Sequence, residues 1–217
     1  MKVIVIEGVD GTGKQTQATK LFEKLKNEGA DVHMISLPNY QSPSAAPVKM
    51  YLGGEIVPNA NDLDAYSASL LFTVDRICTI TQERKKWNKN SIIIFDRYTT
   101  SNLLHQASKI QDEQEQKKYI SWLYNLEFNI LKLPFPSQVY FLNITPQQSE
   151  QLRVNRANKN CKSKDIHECD KTYLERSYFS GIKIAKEMNW EIINCIKDDK
   201  LRSIEDIHLE ILSKLKI

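Results

Sequence analysis

Lys2-Val3-Ile4-Val5-Ile6-Glu7-Gly8-Val9-Asp10-Gly11-Thr12-Gly13-Lys14-Gln15-Thr16 is the stretch from which the fold is read. Val3 to Ile6 is an unbroken apolar run, the pattern of a strand buried on both faces. Gly8 to Lys14 follows the spacing G-x-x-x-x-G-K. After it, Gln15 to Asn27 carries Ala18, Leu21, Phe22 and Leu25 at helical spacing, and Gly29 supplies a stop. Glycines let backbone N–H groups turn inward around a polyphosphate, the helix N-terminus adds its positive end, and the lysine reaches the outer phosphates. A chance glycine turn would not arrive with both flanking elements. Gly8, Val9, Asp10, Gly11, Thr12, Gly13, Lys14, Gln15 and Thr16 are therefore the expected contacts for a nucleotide's polyphosphate. Where a hydroxyl commonly follows the lysine and binds magnesium, Gln15 offers a carbonyl, a weaker ligand.

The alternation continues along the chain. Apolar runs at Val32–Leu37, Ser91–Phe95, Gln138–Asn143 and Glu191–Cys195 have the same strand character. Between them lie helical patterns. Asp62 to Trp87 places Leu63, Tyr66, Leu70, Val74 and Ile77 on one stripe, read as its core face. Thr145-Pro146-Gln147-Gln148 reads as a reciprocal helix cap. Ser203 caps a last helix with Ile204, Ile207, Ile211 and Leu215 on its apolar side. Strands alternating with helices predict a three-layer α/β fold, a five-stranded parallel sheet flanked by helices with right-handed crossovers. There is no internal repeat and no Gly/Ser-rich linker, so residues 1–217 are expected to form a single domain.

Composition fits that reading. Of 217 residues 41% are apolar and 26% charged, which excludes disordered and collagen-like chains. A net charge of +3 is too mild to argue for nucleic-acid binding. The longest charge-free run, Leu133 to Ser149, holds three prolines and spans no membrane, and Val3–Ile6 is too short for a signal-peptide core. The expectation is a cytoplasmic protein with reduced thiols. Cys161, His167 and Cys169 match no standard zinc spacing.

Two further features suit phosphoryl transfer. Asp96-Arg97 ends the third apolar run, at the edge where open α/β sheets bind ligands. A carboxylate there can hold Mg2+, and a guanidinium can neutralise the moving group. The alternative is a strand-closing salt bridge. Arg153 to Lys164 holds five basic residues (Arg153, Arg156, Lys159, Lys162, Lys164) and no acid. Such runs are usually solvated loops, but the Gly8–Gly13 loop contains no basic residue, so charge must come from elsewhere. A short basic lid over about 153–169, with Arg153 and Arg156 on one helical face, is the expectation.

Together these residues resemble the thymidylate kinase family of P-loop nucleoside monophosphate kinases, over essentially the whole chain. Glu7 to Lys14 is similar to its phosphate loop, Leu70 to Arg76 to its thymine-contacting helix, Asp96-Arg97-Tyr98 with Ser101-Asn102 to its strand-end signature, and Glu168 to its lid glutamate. The resemblance implies ATP-dependent conversion of dTMP to dTDP with Mg2+, and a homodimer. It implies that Asp10 bonds the 3′-hydroxyl, Phe72 stacks on thymine and Arg76 bonds its carbonyl. Arg97 would clamp the acceptor phosphate, Asp96 would support the metal and Asn102 would touch the base. Lys14, Asp96, Arg97, Arg153 and Arg156 form the implied catalytic set, with Gln15 as second metal ligand; Tyr40, Ser101 and His105 complete the substrate set.

The chain departs from that pattern at Gln15, at Leu37-Pro38-Asn39-Tyr40, where an expected arginine is missing, and at His105, where some members have tyrosine. These departures bear on the accepted monophosphate. A deoxynucleoside kinase is the nearest competing reading, opposed by Asp10; a non-catalytic nucleotide-binding protein is suggested only by Gln15.

Overall fold

The computed structural model describes residues 1–149 and 166–216. β1 (Lys2–Glu7), β2 (Val32–Ser36), β3 (Ile92–Asp96), β4 (Gln138–Asn143) and β5 (Glu191–Asn194) form one sheet in the order β2-β3-β1-β4-β5, every neighbouring pair parallel. β1 is central and buried on both sides. Ile4 and Ile6 pack with Leu21 and Leu25 of α1 (Lys14–Asn27) and with Ile207 and Ile211 of the last helix. Val3 and Val5 face the other way, into Ile80, Ile93, Phe95 and Tyr98. Each face of β1 thus meets a helical layer, which is why its sequence does not alternate.

α2 (Ala46–Leu52), α3 (Ala65–Glu83), α4 (Thr99–His105) and α5 (Glu113–Tyr124) follow in order. α5 runs into a π-helical turn at Asn125–Ile130. A short helical turn at Ile166–Cys169 precedes α6 (Lys171–Glu187), and the chain closes with a two-residue hairpin, β6 (Ile196–Lys197) and β7 (Lys200–Leu201), and α7 (Ile204–Ser213). Both caps read from the sequence are present. Thr145 N–H donates to Gln148 Oε1 and Gln148 N–H to Thr145 Oγ1, while Ser203 Oγ accepts from Asp206 N–H. No helix among the described residues is long and apolar enough to cross a membrane.

Three expectations are corrected. α3 starts at Ala65, because Asp64 caps it through Tyr66 and Ser67, and it gives way to a 3-10 turn at Arg84. Its inward face is also not the Tyr66/Leu70/Val74 stripe. Those residues are 36%, 45% and 46% exposed, whereas Ala65, Ala68, Ser69, Thr73, Arg76 and Ile80 are buried. Leu63 precedes the helix and packs on the Val48/Tyr51/Leu52/Ala68 cluster, so of the stripe residues on α3 itself only Ile77 packs against the core. α3 is apolar nearly all round, so periodicity could not choose its face. Small side chains let its backbone approach its neighbours, and Thr73 and Arg76 turn inward because a buried carboxylate meets them. On α7, Ile207 and Ile211 are buried but Ile204 is 55% exposed.

Leu21 is fully buried where α1 meets the sheet. Leu21→Ala should cost about 2–5 kcal/mol, read as a lowered urea midpoint with unchanged slope.

Candidate active site

β1 ends in Glu7, and the chain wraps from it into the head of α1. Gly8 lies at φ 150°, and a Cβ there would come 2.8 Å from Thr12 Oγ1 and 3.0 Å from Leu142 O. Gly13 has space around it, but its φ of 88° is left-handed, and no side chain caps the helix it starts. The first-turn N–H groups are thereby left for an anion. Lys14 folds back so that its ammonium donates to Val9 O at 2.7 Å. Burial and the nearby Arg97 guanidinium push the Lys14 ammonium down to about 8, against the pull of Asp10, Glu7 and Asp96.

Arg97 is placed by β3 but stands at φ 66°, a conformation that costs a non-glycine residue about 1–3 kcal/mol. Its guanidinium pairs with the Asp10 carboxylate of the loop. Burial alone would raise the Asp10 carboxyl; Arg97 and Lys14 overcome it and hold the group well below the usual carboxylate range. The other side of the guanidinium approaches His105 Nε2 at 3.5 Å. Burial pushes the His105 imidazole down to about 3, so it is neutral at physiological pH.

Asp10, Tyr40, Phe72, Arg76, Arg97, Ser101, Asn102 and His105, drawn from five segments, line one pocket. Phe72 meets Tyr51 edge-on at 6.2 Å between centroids. Ser101 lines the wall, but its hydroxyl is donated to Glu7 at 2.9 Å. Three buried polar atoms around the pocket have no partner among the described residues: Asn102 Nδ2, His105 Nδ1 and Gln106 Oε1. Native interiors rarely leave such atoms unpaired, and a polar ligand would pair them.

The Arg97 guanidinium at the end of β3 thus joins the Gly8–Lys14 loop to a pocket whose wall holds polar atoms with no partner among the described residues. The family model described as thymidylate kinase matches residues 6–211. The chain belongs to the thymidylate kinase family. With it the chain belongs to the phosphotransferases that carry a phosphoryl group from ATP to dTMP. A thymidylate kinase of Mycobacterium tuberculosis is 29% identical over 81% of each chain. One from Plasmodium falciparum is 26% identical over 99% of this chain and 89% of that one. A probable thymidylate kinase of Methanocaldococcus jannaschii is 28% identical over 98% and 95%. The solved thymidylate kinase of Candida albicans shares the fold at a TM-score of 0.70, with 20% identity over 98% of this chain and 89% of that one.

Of the remaining sequence-derived residues, Gln15 is exposed on the first turn of α1 and Thr16 is half-buried behind it. Arg153 and Arg156 lie outside the described residues, as do the rest of the lid to 165, Cys161, and the side chains of Glu168 and Cys169. His167 is placed and packs between Tyr51, His105 and Tyr173 rings, beside the pocket. No three His, Cys, Asp or Glu among the described residues could hold a metal together. Asp96 is half-buried, and its carboxylate takes no hydrogen bond among the described residues. A single free carboxylate suits Mg2+, which prefers phosphate and water for its other ligands.

Sequence reasoning missed Gln106, Asp75 and Glu127. Gln106 stands four residues after Asn102, a spacing that could have flagged it. Asp75 is buried and accepts from Asn39 N–H and Ser44 Oγ, fixing the loop that carries Tyr40 to the pocket rim. Nothing local marks Asp75 or Glu127.

Lys14 titrates near 8 only without a phosphate beside it. Below that pH the free protein already carries the charge; above it, ATP must draw a proton onto Lys14. ATP binding at pH 8.5 should therefore take up protons and be weaker than at pH 7, measured by calorimetry in buffers of different ionisation enthalpy. Equal affinity and no uptake would contradict the depressed lysine.

Proposed function

We propose that this chain catalyses its family's reaction, ATP plus dTMP giving ADP plus dTDP, where the Gly8–Lys14 loop meets the Asp10–His105 pocket. The observation that carries it is the Arg97–Asp10 pair, one guanidinium touching the phosphate loop and the pocket at once. An acceptor phosphate oxygen attacks the γ-phosphorus as the bond to the β,γ-bridging oxygen breaks, and ADP leaves. The acceptor is largely a dianion at pH 7, so no general base is needed. Loop amides and Lys14 hold the donor, and Arg97, released from Asp10 by a competing phosphate, neutralises the moving group. Asp10 then accepts the 3′-hydroxyl. Phe72 stacks on the base, and Arg76, Asn102 and Gln106 meet its polar edge. His105 Nδ1 faces the sugar, Ser101 shapes the wall, and Tyr40 covers the rim.

Asp96, with the Gln15 carbonyl, would hold Mg2+. Bound with ATP, the ion would neutralise charge across the β- and γ-phosphates. We assign residues 1–217 to one domain, with Arg153 and Arg156 on a lid over 153–169 that brings charge to the triphosphate. The free thiols Cys78 and Cys195 support residence in the reducing cytoplasm.

The homodimer is assigned to the outward stripe of α3. Tyr66, Leu70 and Val74 succeed one another at four-residue intervals, and Tyr66 packs on Trp122 of α5. Such an aromatic-edged apolar line is the composition of an interface core, and the partner is a second copy.

Lys14→Ala and Arg97→Ala should each lower kcat/KM on the order of 10³-fold in coupled ADP release with dTMP, and thymidine should give no release above background. Near-normal turnover of either variant, or turnover of thymidine, would remove the mechanism. Leu70→Asp with Val74→Asp should halve the particle mass by light scattering at micromolar protein; a wild-type chain that is already monomeric there sinks the dimer assignment.

A further inference from the structure

Glu127 is fully buried, yet no step above uses it. It sits in the π-helical turn at Asn125–Ile130, whose neighbours Asn125, Asn129 and Ile130 are exposed. The wide turn directs this one carboxylate inward, a use to which π-turns are often put. Four donors meet it. Arg76 Nε reaches Oε2 and Arg76 Nη2 reaches Oε1, both at 2.8 Å; Thr73 Oγ1 reaches Oε1 at 2.7 Å; and Thr99 Oγ1 donates to Oε2. The side chain of Arg76 is only 3% exposed, and Arg76 lines the pocket. The fork to Glu127 occupies Nε and Nη2, leaving Nη1 as the guanidinium nitrogen without a protein partner among the described residues.

We infer that Glu127 is a positioning residue for the acceptor base: by gripping two nitrogens of Arg76 it fixes the third toward the pocket, and so selects pyrimidines with a 4-carbonyl over those with a 4-amino group. The inference rests on the reading of Arg76 as a base contact. A clamped Nη1 presents only N–H donors and cannot rotate away. A carbonyl oxygen accepts from it, whereas an amino group leaves two donors facing each other in a buried site, a mismatch with a large penalty. Thr99 opens α4, which carries Asn102, so the same carboxylate also ties that residue's helix to α3.

The test compares wild type, Arg76→Ala, Glu127→Gln and the double variant, with dTMP and with dCMP as acceptors at saturating ATP. Glu127→Gln should raise KM for dTMP about tenfold or more while kcat falls far less. It should shrink the dTMP-to-dCMP ratio of kcat/KM about tenfold, as Arg76→Ala does, and the double variant should shrink it no further than the worse single one. If Arg76→Ala lowers the ratio and Glu127→Gln does not, or if Glu127→Gln weakens both acceptors equally, this inference is overturned and the base contact stands. An unchanged ratio in Arg76→Ala removes the base contact itself. Should Glu127→Gln not fold, Thr73→Val takes away one donor and keeps the ion pair. A smaller loss of discrimination, about threefold, is then expected, and an unaltered ratio is fatal. The double variant removes both charges together and supplies the Arg76 arm if Arg76→Ala alone is insoluble.

Discussion

A buried carboxylate at the end of the central strand holds the two halves of the site in register. Glu7 accepts the Gly8 N–H at 3.0 Å, the Thr100 hydroxyl at 2.7 Å and the Ser101 hydroxyl at 2.9 Å. It therefore fastens the first residue of the phosphate loop to the start of α4. α4 carries Asn102 and His105, and Arg97 lies just before it. The Gly8–Lys14 loop and the pocket are thus held at a fixed separation, and fixed separation is the positioning that phosphoryl transfer requires of a protein. An isolated carboxylate at this depth would be costly; three donors make it a strut.

The same device recurs around the pocket. Asp75 holds the loop below Tyr40, and Glu127 holds Arg76 and Thr99. Each buried carboxylate around the pocket is matched by protein donors, whereas Asn102 Nδ2, His105 Nδ1 and Gln106 Oε1 have no partner among the described residues. The division has a physical logic. Full ionic charges left unpaired would unfold the site, but neutral amide and imidazole atoms cost less and can wait for a ligand. Arg97 lies between these classes, since it is paired with the Asp10 carboxylate and lines the pocket as well.

Much of this was legible in the chain alone. The Gly8–Lys14 loop, the five strands and the Asp96-Arg97 strand end follow from local rules, because loop dihedrals, strand burial and helix caps depend on residues close in sequence. The Gln148 and Ser203 caps appear as read for that reason. Even the eight residues named for the acceptor prove to line one cavity, since a family likeness carries spatial information that spacing does not.

The face of α3 was not legible. Tyr66, Leu70 and Val74 have the periodicity of a core stripe, and only the position of Glu127, fifty-one residues beyond Arg76, turns the polar edge inward. Likewise nothing near Glu127 announces a buried ion pair, and nothing near Asp75 announces the loop it holds. Sequence by itself determined the strand–loop–helix over residues 2–27, because that geometry is enforced by glycine dihedrals and strand hydrophobicity within one short segment. Tertiary structure decided which charges are paired and which buried polar atoms are left without a partner among the described residues, because the cost of an unpaired buried group is set by whatever distant chain happens to surround it.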